Sequence, residues 1–260
     1  MITIVPPDLV PSVNSEVRKV TTLPLNRILA GVPVAVALLA CLASGLLAGK
    51  ADPKSEPATG AATIGLYVGL ALVVLAAAVF GAVGSGGEYR HQTMPVTALF
   101  AADRDRLTAA KLLVTGVFAL AAALAVEVVA VVALFAFGRD KFDFGVNLAS
   151  VLGGGLFAAV CWSLIGAGLG LLLRSSSTAI VVVLGWLVIA EPLLWLIANG
   201  VGATGLVSLF PGSATLSTVM VGSYEDNDFL APTPAAVVVL LLWTIGIGAA
   251  GWWNLRRLDL

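Results

Sequence analysis

Six long apolar stretches constrain this chain more than any motif does. They run over Ile28–Ala48, Ala61–Gly84, Leu112–Phe137, Leu148–Leu173, Thr178–Ala198 and Ala235–Trp253. Their only charges are Glu127 in the third and Glu191 in the fifth. A bilayer core about 30 Å thick is crossed by a helix of about 20 apolar residues, so each stretch is long enough to span. Lipid offers backbone N–H and C=O groups no partner, which leaves helices or a closed barrel. Barrel strands alternate apolar and polar residues over segments of about ten. These runs are continuous and rich in Leu, Val and Ala. The expected fold class is therefore an all-α membrane protein with six transmembrane helices.

Composition narrows the function classes. Only 11% of residues are charged and 59% are hydrophobic, whereas a soluble domain is about a quarter charged. The net charge of -1 argues against a nucleic-acid partner. Cys41 and Cys161 lie inside apolar runs, and the single histidine, His91, has no cysteine cluster beside it. No zinc site is expected, and the cysteines read as small buried hydrophobes. Residues 1–27 carry Pro6, Pro7, Pro11, Glu16, Arg18 and Lys19 and have no apolar core. They do not read as a signal peptide, and the first apolar run reads as a retained span. The organisation expected is a tail over 1–27 and a six-span domain over 28–260.

Lysine and arginine set the orientation. With six spans both termini share a side. That side holds Arg18, Lys19, Arg27, Arg90, Arg104, Arg106, Lys111, Arg174, Arg256 and Arg257, against Lys50, Lys54, Arg139 and Lys141 on the other. The imbalance predicts cytoplasmic termini. Trp252 and Trp253, just before Arg256 and Arg257, have the pattern of an interfacial anchor.

Three segments outside the spans carry further information. In 13–27, Val13, Val17 and Val20 share one helical face and Pro24 ends the pattern, as in a helix lying along the membrane surface with its basic side toward headgroups; the alternative is an irregular tail. The loop from Ser85 to Lys111 is the most charged part of the chain. Pro95 has the position of a helix start, Val96, Leu99 and Phe100 give that helix an apolar edge, and Asp103 is placed to cap the next helix. The pattern is a cytoplasmic protrusion that a partner grips, or else a solvated loop. The outer segment 199–233 is apolar over Val201–Met220 but broken by Gly202, Gly205, Pro211 and Gly212. It reads as a re-entrant segment sheltered by protein or as a cap on the outer face. Gly65-x-x-x-Gly69, Gly166-x-x-x-Gly170 and Gly153-Gly154-Gly155 are candidates for close helix approach.

In layout the chain resembles the membrane subunits of type-2 ABC exporters, six-span permeases that work with a separate ATPase. Ser15-Glu16-Val17-Arg18-Lys19 is similar to the start of their interfacial helix. Glu88-Tyr89-Arg90-His91-Gln92-Thr93 resembles their Glu-x-Arg-x-x-Thr signature after the second span, with Gln92 where many members carry Gly. Arg104, Arg106 and Lys111 resemble the basic residues that open the third span, and 199–233 is similar to the re-entrant segment. About thirty residues carry the motifs. The resemblance implies a coupling helix after Thr93, seated on the ATPase, with Glu88, Tyr89, Arg90, His91, Thr93, Arg104 and Arg106 as coupling residues. It also implies an interfacial helix bearing Glu16, Arg18 and Lys19, two permease chains, same or related, and location in a bacterial plasma membrane. ATP and Mg would bind the partner ATPase. This chain has no G-x-x-x-x-G-K-[ST] loop, so no cofactor and no catalytic residue is expected on it.

Glu127 and Glu191 stand apart. At 1.5 Å per residue they lie about 22 Å and about 20 Å above their cytoplasmic entry points, so at similar depth. An ionised acid there costs about 2.5–3.5 kcal/mol on insertion scales, so each needs a cavity, a partner or a proton. Neither has a polar neighbour at i±3 or i±4, so partners must come from other helices. They are candidates for the translocation path or for structural bonds between helices. Pro192 is expected to disturb the helix after Glu191. An intramembrane enzyme is disfavoured because the spans hold no basic partner for these acids. An ion-coupled carrier without an ATPase, or a non-transporting assembly subunit, are the alternatives to the exporter.

Overall fold

The computed structural model describes residues 9–48, 61–90, 104–138, 145–221 and 230–257, and these are mostly helical, with no strand among them. Helix α1 covers Val10–Thr22, α2 Pro24–Leu47, α3 Ile64–Arg90, α4 Arg104–Gly138 and α5 Val146–Leu173. The fifth span is one rod, Ser176–Val201, made of α6 (Ser176–Gly185), a π-helical turn (Trp186–Ala190) and α7 (Glu191–Val201). Two short helices follow, α8 (Thr204–Val207) and α9 (Pro211–Val219), and α10 (Thr233–Arg256) is the sixth span. All six predicted spans are present as helices long and apolar enough to cross a membrane.

Pro24 divides α1 from α2 as the sequence predicts. It occupies the first turn of α2, where a missing N–H costs nothing. Leu23 is the single extended residue between the two helices. The π turn in span five has the same origin. Pro192 lacks the N–H that would continue the α pattern, and the Glu191 N–H bonds back to the Trp186 carbonyl five residues earlier. A π turn absorbs the mismatch without breaking the rod.

Helices α3 and α5 form the centre. In their apolar windows 56% and 61% of residues are buried, against 11% in span five. Their crossing depends on missing side chains: a Cβ on Gly81 would strike the Ser163 carbonyl, and one on Gly166 would strike that of Ala78. Gly170 packs on Ala82, so the second predicted glycine motif is a helix contact. The first is as well, with Gly65 against Ala40 and Cys41 and Gly69 against Ala37 of α2. In the triple run, Gly154 meets the Thr218 carbonyl of α9 and Gly155 meets Glu127 and Leu70, while Gly153 faces open space. Both cysteines are buried and unpaired, as expected. Ile28, Val132, Val181, Leu196 and Leu242 are among the exposed apolar side chains that ring the outside. In water such a surface would aggregate; in a bilayer it is the solvated surface. The chain has the build of a multi-pass membrane protein.

Candidate functional site

Four of the residues named from the sequence meet at one end of the bundle. Glu16 on α1 and Glu88 on the last turn of α3 are both buried, at 5% and 7% exposure. Lys19 on α1 donates to Glu16 Oε1 and to Glu88 Oε1, each at 2.7 Å. Lys111 on α4 donates to Glu88 Oε1 at 2.8 Å and to Glu16 Oε2 at 3.1 Å. The four side chains close a ring in which charge alternates and sums to zero. Lys111 is 2% exposed, and its third N–H reaches the Gly84 carbonyl at 3.4 Å. Burial acts to lower the Lys19 pKa, but the hydrogen bonds and charges of Glu16 and Glu88 outweigh it, and the ammonium titrates above the ordinary lysine value.

The ring shows which face of α1 meets the protein. Of the valine face expected to lie in lipid, Val17 is exposed and Val13 and Val20 are half-buried, and Glu16 is the buried residue of the helix. The basic side expected to face headgroups is split, with Arg18 outward and Lys19 turned into the ring. Lys111 is the residue that sequence reasoning undervalued. It reads there as one more basic residue, and its signal is a lone lysine on the same helical face as the buried residues of α4.

The other expected coupling residues are dispersed. Tyr89 is half-buried and packs with Leu107, Leu171 and Leu255. Arg104 donates to the Leu255 and Arg256 carbonyls at 3.5 and 3.3 Å, capping the end of α10. Such a cation also complements the helix dipole. Next to it Asp105 accepts from Trp252 at 2.8 Å and pairs with Arg256 at 3.2 Å. Arg106 is exposed. Arg256 and Arg257 stack over Trp252 and Trp253. The Arg90 side chain, His91, Thr93 and the short helix expected at Pro95 lie outside the described residues, as does Asp103.

Glu191 sits in a different setting, toward the opposite end. Its Oε2 accepts from Gly212 N at 2.9 Å and from Trp186 Nε1 at 3.0 Å, and its Oε1 accepts from Ser213 N at 2.5 Å and Ser213 Oγ at 3.0 Å. It therefore caps the first turn of α9 from another helix. The expectation that its partners come from elsewhere holds for Gly212 and Ser213. Trp186 is the exception: it lies five residues back on the same rod, where the π turn brings it within reach. Other indoles hold the same region: Trp162 donates to Thr215 at 2.7 Å and Trp195 to Ser213 at 2.9 Å. A tryptophan in an apolar span needs a partner for its N–H, and that requirement was the available signal for this network. An apolar cavity of about 430 Å³ lies beside it, lined by Tyr67, Leu70 and Val74 of α3, Glu191 and Trp195 of span five, and Thr215 and Val219 of α9.

Among the described residues Glu127 has neither kind of partner. It is 4% exposed, its Oε1 has no hydrogen bond among the described residues, and it lies against Gly155, which Leu70 also approaches. Leu70 also lines the cavity. No group of three or more His, Cys, Asp or Glu side chains able to hold a metal occurs among the described residues. No protein-family model matches this chain, and no curated protein matches its sequence.

Proposed function

We propose that the chain is the permease subunit of an ATP-driven exporter in a bacterial plasma membrane, with both termini cytoplasmic and ATP hydrolysed on a partner subunit. One observation supports the reading: Glu16, Lys19, Glu88 and Lys111, taken from three segments of the exporter resemblance, meet in one ring. In this reading α1 is the interfacial helix, α8 and α9 form the re-entrant segment, and the coupling segment is the stretch 91–103, outside the described residues. The ring ties the interfacial helix to both stems of the coupling loop, the arrangement that a lever driven from below requires. A second permease chain, same or related, completes the pathway.

The test is purification of the full chain from its native membrane, followed by an assay of bound ATPase activity. A stoichiometric ATP-hydrolysing subunit is expected. Replacing 91–103 by a Gly/Ser segment of equal length should abolish the association while the six-span bundle still inserts. Recovery of the chain with no ATPase, or association that survives the replacement, rejects the reading.

Glu127 supports a second reading, an ion-coupled carrier. A buried carboxyl oxygen without a hydrogen-bond partner is suited to taking and releasing a proton. Flux through reconstituted vesicles that follows a pH gradient, needs no ATP and is lost in Glu127→Gln would favour it over the exporter.

A further inference from the structure

We infer that Glu16, Lys19, Glu88 and Lys111 act as one positioning unit, with Lys111 as its node, that makes α1 move as a rigid body with the two stems of the 91–103 segment. The functional half of this inference rests on the exporter reading; the mechanical half does not.

Besides the ring, α1 is held by half-buried Val13 and Val20 and by Arg27, which donates to the Thr21 carbonyl at 3.2 Å, but its buried contact is the ring. Glu16 is its buried residue, and Val10 and Val17 are exposed. Covalently it joins the bundle through one extended residue, Leu23, and the Asn26 amide that reaches back to the Val20 carbonyl at 3.0 Å braces only that joint. A helix on a single-residue joint swings unless something distant holds it, and here the ring does. Lys111 spends all three donors of its ammonium on it: one toward α1 through Glu16, two toward α3 through Glu88 and the Gly84 carbonyl. Its own backbone is α4. A single side chain thereby links three helices, two of which are the stems flanking 91–103.

Closure of the ring also makes its members interdependent. Each carboxylate faces both ammoniums and each ammonium both carboxylates. Deleting one member leaves a net buried charge, which is far more costly than removing a neutral pair. The ring therefore holds as a whole or gives way as a whole, as expected of a joint that transmits displacement.

The experiment places nitroxide labels at Asn14→Cys on α1 and Ala109→Cys on α4, both exposed positions, in the full chain in lipid nanodiscs. Cys41 and Cys161 are buried, out of reach of an aqueous label. The parent ring should give one narrow distance distribution. Lys111→Met should shift the docked-to-released equilibrium of α1 by about 100-fold or more, as expected for an uncompensated buried carboxylate, and spread the distribution. Reversing all four charges together (Glu16→Lys, Lys19→Glu, Glu88→Lys, Lys111→Glu) restores alternation and should narrow it again. If Lys111→Met does not accumulate, Lys19→Met at the half-exposed corner gives the same reading. A narrow distribution in the lysine variant, or no recovery in the folded four-fold reversal, overturns the unit. In the complex, Lys111→Met should retain the bound ATPase but lose its response to transport, and the reversal should regain it. Absence of any ATPase defeats the exporter reading and leaves the distance result intact. Unchanged distances defeat the ring alone.

Discussion

The two ends of this bundle bury carboxylates in opposite ways. At the end that carries α1, Glu16 and Glu88 are neutralised by two lysines. Toward the other end Glu191 is satisfied without a cation, by two backbone N–H groups, a hydroxyl and an indole. The ring holds an element with a single buried residue, whereas the Glu191 cage holds α9, which is mostly buried and already seated by Gly154, Trp162 and Trp195. Ion pairs therefore do the attaching where packing is thin, and neutral donors do the aligning where packing is dense. The cage also exploits the favourable field at a helix N-terminus, which the ring does without.

The largest test of this contrast is Lys111→Met. It leaves two buried carboxylates facing one lysine, and it should destabilise the fold around α1 by about 3–5 kcal/mol in mixed-micelle denaturation. A loss no greater than that of a surface lysine would erase the distinction. Glu191→Leu should cost about 2–3 kcal/mol, because the Gly212 and Ser213 amides lose their acceptor. Glu191→Gln should recover part of that through its remaining carbonyl oxygen. Were the Leu and Gln variants equally stable, the capping role would be wrong. Trp162→Phe removes one indole bond while Thr215 Oγ keeps its own bond to the Pro211 carbonyl at 2.7 Å, and about 1 kcal/mol is expected. The smallest effect belongs to Glu127→Gln. With no ion pair and no hydrogen bond to Oε1 among the described residues to lose, it should change stability by less than about 1 kcal/mol. Any larger effect on flux then marks Glu127 as a path residue, and unchanged export in Glu127→Gln and Glu191→Gln together removes both acids from the path.

Titration separates the two regions as well. The Lys19 pKa is raised in the folded chain. Its contribution is thus fully present below the ordinary lysine value of about 10.4 and fades as pH climbs through the higher folded value. The groups facing it are Glu16 of α1 and Glu88 of α3, with Lys111 of α4 across the ring. A label at Asn14 should report α1 docked at neutral and mildly alkaline pH and released only in strong alkali. Release near neutrality would contradict the ring.

Much of the helical layout was legible because the constraint is local. A run such as Leu148–Leu173 has to be helical in lipid whatever lies next to it. Pro24 and Pro192 marked a break and a disturbance because a missing N–H acts on its own chain, although the sequence did not say that the second would become a π turn. The partner of each charge was less legible. Glu16 and Lys111 are 95 residues apart, and helical periodicity tells which face a residue occupies but not what stands across from it. Helix α1 illustrates this: the spacing of its valines marked an apolar face, but nothing in it told that Glu16, between them, would meet Lys111.

What the sequence determined alone is the number of helices long and apolar enough to cross a bilayer and the places where the backbone had to bend, because each follows from the hydrogen-bonding needs of a single segment. What only the tertiary structure decided is how the buried charges are neutralised. Lys111 became the node of a ring, Glu191 a helix cap and Glu127 an acid with an unbonded oxygen, although in the sequence all three are single charges at or near apolar runs. Their fates differ because neutralisation is a property of neighbours, and neighbours are set by which helices the missing side chains of Gly81, Gly154 and Gly166 allow to touch.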